Sequence, residues 1–201
     1  MPFLWTIVIC HKSKVIYIHP CRCAGTSIEI AFGFSPQQLN ESGERHALPD
    51  FYPKKFWKEY SSFISVRNPW DRLLSGFALI KQHNISAYEP YLKEYSLKNF
   101  NQFVLDVMTK PELYKDDRMF WPQTKWFYYK NKRVPFKKVI RFESLSDDIG
   151  SLLKTINLKV DDLPHELKTN KPNYQDIYDQ TSKEIVSQIY GKDIEVLGYE
   201  F

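Results

Sequence analysis

The chain has 201 residues, 43% of them hydrophobic and 26% charged, with a net charge of +4 and a pI near 8.8. This length suits one domain, residues 1–201, with a sizeable core, and an aromatic share of 16% excludes a disordered chain. The mildly basic balance favours small anionic ligands, and acidic residues interleave with basic ones almost throughout, which argues against nucleic acid as a partner.

Phe3 to Cys10 and Lys14 to His19 read as strands joined by the turn "HKSK". The first apolar stretch is too short to span a bilayer and has no basic leader or cleavage site, so no membrane association is expected. Val15 to Ile18 is apolar and β-branched, as a buried parallel strand is. It passes at once into "HPCRCAGTS". Ala24 and Gly25 let the backbone come close to a ligand, and Thr26 and Ser27 stand where a helix begins, with Ile28, Ala31 and Phe32 as its apolar stripe. A helix start offers unpaired N–H groups and the positive end of a dipole, so this turn is either an anion site or an ordinary βα connection.

The stretch "SPQQLNESGERHALPD" reads as a long loop, and Phe63 to Val66 as a short buried strand. In "RNPWDRLLSGF" Asn68 can cap a helix whose first turn holds Pro69, with Trp70, Leu73, Leu74 and Phe77 on one face. Asn99 to Met108 and Met119 to Tyr129 are further helix candidates, the second interrupted early by Pro122. Lys138 to Phe142 is a third short strand, followed by a helix over Ser144 to Ile156, the loop "LPHELKTNKPNY" and a last helix over Thr181 to Tyr190. Strands alternating with helices predict an α/β fold, a three-layer sandwich with a central, mainly parallel sheet flanked by helices, and a ligand site at the carboxyl ends of the strands.

Three cysteines, Cys10, Cys21 and Cys23, make no disulfide framework and point to a reducing compartment, so the expected location is cytoplasmic. His19, Cys21 and Cys23 are too tightly spaced for a structural zinc knuckle and no second ligand pair follows, so no metal site is expected. The turn also differs from a nucleoside-triphosphatase P-loop. That motif, GxxxxGK(S/T), places Lys directly before the hydroxyl residue, whereas here the charge comes earlier, from Arg22. A second anion site is possible in "SVRNPWDRLLSGF". Arg67 leaves a strand end and Ser75 lies eight residues on, so the two can clamp a phosphate; the alternative pairs Arg67 with Asp71 and leaves Ser75 small for packing.

Together the segments resemble the sulfotransferase family, in particular its carbohydrate-type, heparan/chondroitin 2-O-sulfotransferase-like branch. "YIHPCRCAGTSI" is similar to that branch's "IHIPKCAGTS" turn, and "ISVRNPWDRLLSGF" to its "VRNPYDRLLSAY" motif. "FWPQTKWF", "VIRFESL" and the closing "IYGKDIEVLGYEF" continue the resemblance. It implies a P-loop-like fold and transfer of the sulfuryl group of 3′-phosphoadenosine 5′-phosphosulfate (PAPS) to a hydroxyl, with 3′-phosphoadenosine 5′-phosphate (PAP) as product. Arg22, Cys23, Ala24, Gly25, Thr26 and Ser27 would hold the 5′-phosphosulfate, Arg67 and Ser75 the 3′-phosphate, and Lys168 and Thr169 further parts of the nucleotide. The family's Pro-Lys at the turn is Cys21-Arg22 here, so the charge near the bridging oxygen falls to an always-protonated planar group. Ser144 replaces an acid that follows the family's third strand.

Sulfuryl transfer needs an in-line acceptor oxygen, charge stabilisation and removal of a proton, and it does not require a metal. A base working near neutrality favours His. His46, in the loop between the two anion motifs, is the candidate by the resemblance, with Glu44 next and Arg22 at the leaving oxygen. Trp121, Pro122 and Gln123 could line a cleft for a carbohydrate acceptor, while Trp126 and Phe127 read as core. Two other functions stay open on the residues alone: a P-loop small-molecule or nucleotide kinase, and a catalytically weak nucleotide-binding protein of the same fold.

Overall fold

The computed structural model describes residues 9–11, 14–31, 45–83, 99–155 and 172–201. By contacts the chain divides into two compact units, Met1–Arg67 with Lys125–Thr169 and Asn68–Thr124 with Asn170–Phe201.

The first unit is built on a four-stranded sheet, with strands β1 (Ile9–Cys10), β2 (Val15–Ile18), β3 (Ser61–Val66) and β6 (Lys138–Arg141) in the order β1-β2-β3-β6. β1 pairs antiparallel to β2; β2–β3 and β3–β6 are parallel. Every residue of β2 and all but the first of β3 are buried, as expected of parallel strands covered on both faces. On one face Val15, Tyr17, Phe63 and Ile140 pack with Ile28 of helix α1 (Gly25–Ala31) and with Ile149 and Leu152 of helix α6 (Leu145–Thr155). Ile16, Ile18, Ile64 and Val66, alternating with these, are buried as well. The result is a mixed α/β fold with a parallel sheet flanked by helices, of the P-loop-like kind. A short helix α2 (Lys54–Glu59) leads into β3.

The second unit gathers helices α3 (Pro69–His83), α4 (Phe100–Phe103), α5 (Pro111–Tyr114), α7 (Gln180–Ile189) and α8 (Gly191–Leu197). Trp70, Leu73, Leu74 and Phe77 are the buried stripe of α3, with the Phe77 ring 5.4 Å from that of Phe100 and 5.2 Å from that of Phe103. Asn68 caps α3 as the sequence predicts, its Oδ1 accepting from the N–H of Trp70 at 3.1 Å. No helix among the described residues is long and apolar enough to cross a membrane.

Several elements differ from expectation. Val104–Met108 continues α4 as a π-helix. The helix predicted over Met119 to Tyr129 is absent. Pro122 breaks it, and the buried Asp193 carboxylate accepts the next two N–H groups, of Gln123 at 2.6 Å and Thr124 at 2.8 Å. A 3₁₀ turn, Gln123–Phe127, follows, and then a hairpin of β4 (Tyr128–Tyr129) and β5 (Lys132–Arg133). The hairpin closes through Lys130 and Asn131 at φ 45° and 62°, a primed turn made without glycine. Helix α8 has no counterpart in the sequence reading. Most of the "SPQQLNESGERHALPD" loop, Phe3 to Val8 and most of "LPHELKTNKPNY" lie outside the described residues.

Candidate active site

The turn after β2 sits at the carboxyl end of the sheet, where the parallel order directs ligands. Its backbone is bent sharply: Arg22 and Ala24 have φ 67° and 62°, costly for residues with a Cβ and characteristic of functional turns. Gly25 has a separate cause. A Cβ there would stand 2.1 Å from Nδ1 of His19, so the imidazole occupies the space that only glycine leaves. Cys21 and Cys23 are buried free thiols, and Cys23 Sγ donates to the carbonyl of Cys21 at 3.6 Å.

Arg67, at the end of β3, reaches this turn. It is buried, its Nη1 donates to the carbonyl of Arg22 at 3.1 Å, and its guanidinium lies 3.8 Å from the centroid of the Phe142 ring. Burial first, and then the Arg67 guanidinium, push Arg22 below its ordinary pKa. The Arg67 guanidinium is thus held against the backbone of a strained turn that itself carries Arg22, and like charges near one another in a partly desolvated place favour an anion beside them.

Behind the turn lies a polar network that the sequence reading missed. His19 Nε2 bonds Glu29 Oε1 at 2.6 Å, and Arg45 donates from Nε to Glu29 Oε2 at 3.2 Å and from Nη2 to Thr26 Oγ1 at 2.8 Å. His19 and Glu29 are both fully buried. Burial would raise the Glu29 carboxyl, but hydrogen bonds and charge from His19 and Arg45 outweigh it and hold the group below its ordinary value. The nearest signal in the sequence is an acid inside the apolar run "SIEIAF".

His46 joins this network. Its ring meets that of His19 edge-on at 4.6 Å, and its Nδ1 contacts the carbonyl oxygen of His19 at 3.3 Å. A carbonyl only accepts, so Nδ1 carries the proton in this contact. Trp126, itself buried, donates its indole N–H to the His46 carbonyl at 3.1 Å and so fixes the backbone there.

Among the sequence-predicted site residues, the structure brings together Arg22, Cys23, Ala24, Gly25, Thr26, Ser27, His46 and Arg67 in the first unit. Ser75 is buried in α3 of the second unit. Lys168, Thr169 and Glu44 lie outside the described residues. Gln123 is buried with its N–H on Asp193, and Trp121 donates from Nε1 to the Lys115 carbonyl at 2.6 Å. Ser144, where the family resemblance expects an acid, donates to Asp148 Oδ2 at 2.9 Å.

A model of the sulfotransferase family matches residues 5–200. The chain belongs to the sulfotransferase family. No curated protein and no solved structure matches it. In this sulfotransferase the turn after β2 stands at the carboxyl ends of parallel strands.

Two consequences can be measured. Gly25→Ala should weaken PAP binding by tenfold or more in calorimetry, because the new methyl displaces His19 from the turn and overpacking costs about 1–3 kcal/mol. Unchanged affinity would show that His19 can move aside without consequence. Glu29→Gln should destabilise the fold by about 3 kcal/mol at pH 7, since it leaves His19 and Arg45 without their carboxylate. A depressed carboxyl stabilises fully above the unfolded Glu value of about 4.3 and loses that contribution as pH falls through the lower folded value. The gap between wild type and variant in urea unfolding should therefore narrow below about pH 4.

Proposed function

We propose that this sulfotransferase moves the sulfuryl group of PAPS to a hydroxyl of a carbohydrate, of the heparan/chondroitin 2-O type, with His46 as general base and no metal. The observation that carries the reading is the convergence of Arg22 and Arg67 on the turn at the end of β2. Arg22 supplies at the leaving oxygen the positive charge that a metal supplies in nucleoside-triphosphate chemistry.

When bound, PAPS supplies a sulfuryl group on a phosphate leaving group together with a 3′-phosphate. Thr26, Ser27 and the N–H groups of Cys23, Ala24 and Gly25 bind the 5′ end, and Arg45 orients the Thr26 hydroxyl from behind. Arg22 carries the charge that develops at the leaving oxygen, and Arg67 holds the 3′-phosphate. By the resemblance alone, Ser75, Lys168 and Thr169 are further contacts. His46 is held in the Nδ1–H form by the carbonyl of His19, so its Nε2 takes the proton of the acceptor hydroxyl. Glu29 fixes the His19 ring, which in turn packs against His46.

The test is transfer of labelled sulfate from PAPS to a panel of saccharide, phenolic and steroid hydroxyls with EDTA present throughout. Transfer to saccharides in EDTA is expected. Transfer only to phenols or steroids would overturn the acceptor class, and activity lost in EDTA would overturn the metal-free mechanism.

A further inference from the structure

We infer that the opposite end of the sheet carries a second ligand site, one that holds an anionic saccharide. A cavity of about 480 Å³ there is lined by, among others, Trp57, Ser62, Tyr129, Lys132, Arg133 and Lys137, all in the first unit. Ser61 and Ser62 open β3, whereas Arg67 and the anion turn stand at its other end. Five strand steps of about 3.3 Å place the two sites some 16 Å apart along the strand.

Charge marks this end of the molecule. Residues 130–138, "KNKRVPFKK", contain five cations and no acid, against the interleaving found elsewhere; Asp50 accepts from the Lys130 N–H, and α2 adds Lys54, Lys55 and Lys58 with one acid, Glu59. Lys138 is paired with Asp148 at 3.0 Å. Lys132, Arg133 and Lys137 have no carboxylate partner among the described residues, and no acid lines the cavity. Three cations with no carboxylate partner among the described residues, grouped around one cavity, attract an anion.

Its aromatic groups narrow the class. The rings of Trp57 and Tyr129 lie 5.9 Å apart and offer apolar faces beside the cations. The indole Nε1 of Trp57 is itself buried, with no hydrogen-bond partner among the described residues, so the residue offers the cavity its ring rather than its N–H. Free phosphate would leave the rings unused. A sulfated or carboxylated sugar uses both, its C–H face on the rings and its anions on Lys132, Arg133 and Lys137. The volume falls in the range of small-ligand sites. The inference rests on this end of the sheet alone and holds whatever hydroxyl the anion turn serves.

The experiment is calorimetric titration of PAP-saturated protein with a sulfated hexuronate–hexosamine tetrasaccharide, its desulfated, carboxyl-reduced counterpart, and a single-stranded oligonucleotide of equal charge. Lys132→Ala combined with Arg133→Ala should weaken tetrasaccharide binding at least tenfold, and Trp57→Ala, which removes one ring face, severalfold. Both variants should bind PAP within twofold of wild type, showing that the fold is intact. Equal tetrasaccharide affinity in wild type and double variant would overturn the site. So would equal binding of the neutral counterpart, tighter binding of the oligonucleotide, or a parallel loss of PAP affinity in the variants. Failure of sulfuryl transfer with tetrasaccharide binding still dependent on Lys132 and Arg133 would overturn the proposed reaction and support this site.

Discussion

His46→Ala should cut turnover at saturating PAPS by about 10²–10⁴-fold, the contribution of a positioned base, and leave PAP affinity unchanged. His46 touches the carbonyl of His19 and is held at its own carbonyl by Trp126, so its ring is aimed by the protein rather than by the nucleotide. In the proposed site the anion contacts belong to other residues, chiefly Arg22 and Arg67. Rate and donor binding should therefore separate. The wild-type rate should rise with pH through the range in which an imidazole loses its proton, and that limb should vanish in the variant. A pH–rate profile at saturating acceptor, with PAP titrated into both proteins, makes the comparison. A variant that keeps most of its rate, or loses PAP affinity in proportion, would remove His46 from the base role and turn attention to Glu44.

Arg67→Ala should weaken PAP binding a hundredfold or more. The side chain has two tasks in the proposed site, holding the strained turn through the Arg22 carbonyl and meeting the 3′-phosphate. A hydrogen bond to a charged group contributes about 1.5–3 kcal/mol, so losing both passes two decades at about 1.4 kcal/mol per decade. Arg67→Lys keeps the charge but loses the fork and the stacking on Phe142, and should fall between. Wild type should bind PAP more tightly than AMP, and that preference should collapse in Arg67→Ala. Equal wild-type affinities for the two nucleotides would overturn the 3′-phosphate assignment.

The parts of the site legible in the sequence are those fixed by local order. A β-branched run ending in "CAGTS" places a turn at a strand end, and the next apolar strand ends in Arg67, so two candidate anion-binding features fall at one end of a parallel sheet. What escaped is contact between distant residues. Glu29 looks like a polar position on an amphipathic helix until His19 and Arg45 close over it. The ring of Phe142 under Arg67 depends on β6 pairing with β3 across more than seventy residues. The same holds for the lost helix near Trp126, where the Asp193 carboxylate captures the N–H groups of Gln123 and Thr124. Local propensity could not announce the hairpin either, since its turn uses Lys130 and Asn131 in place of the usual glycine.

The strand order β1-β2-β3-β6 also bears on how the chain reaches its native state as it is synthesised. β3 has both its neighbours at long sequence separation: Ile18 must find Ile64, and Val66 must find Arg141. Neither compact unit is continuous, for the first resumes at Lys125 and the second at Asn170. An emerging polypeptide therefore exposes the apolar edge of β3 until residues past Arg141 are made, and it exposes Trp70 until Phe201 can pack against it. High contact order of this kind slows folding and leaves strand edges open to other chains. Slow translation through the stretch between β3 and β6 should then favour aggregation of nascent chains, and holdase chaperones that bind apolar strands should raise the soluble yield more than prolyl isomerases do.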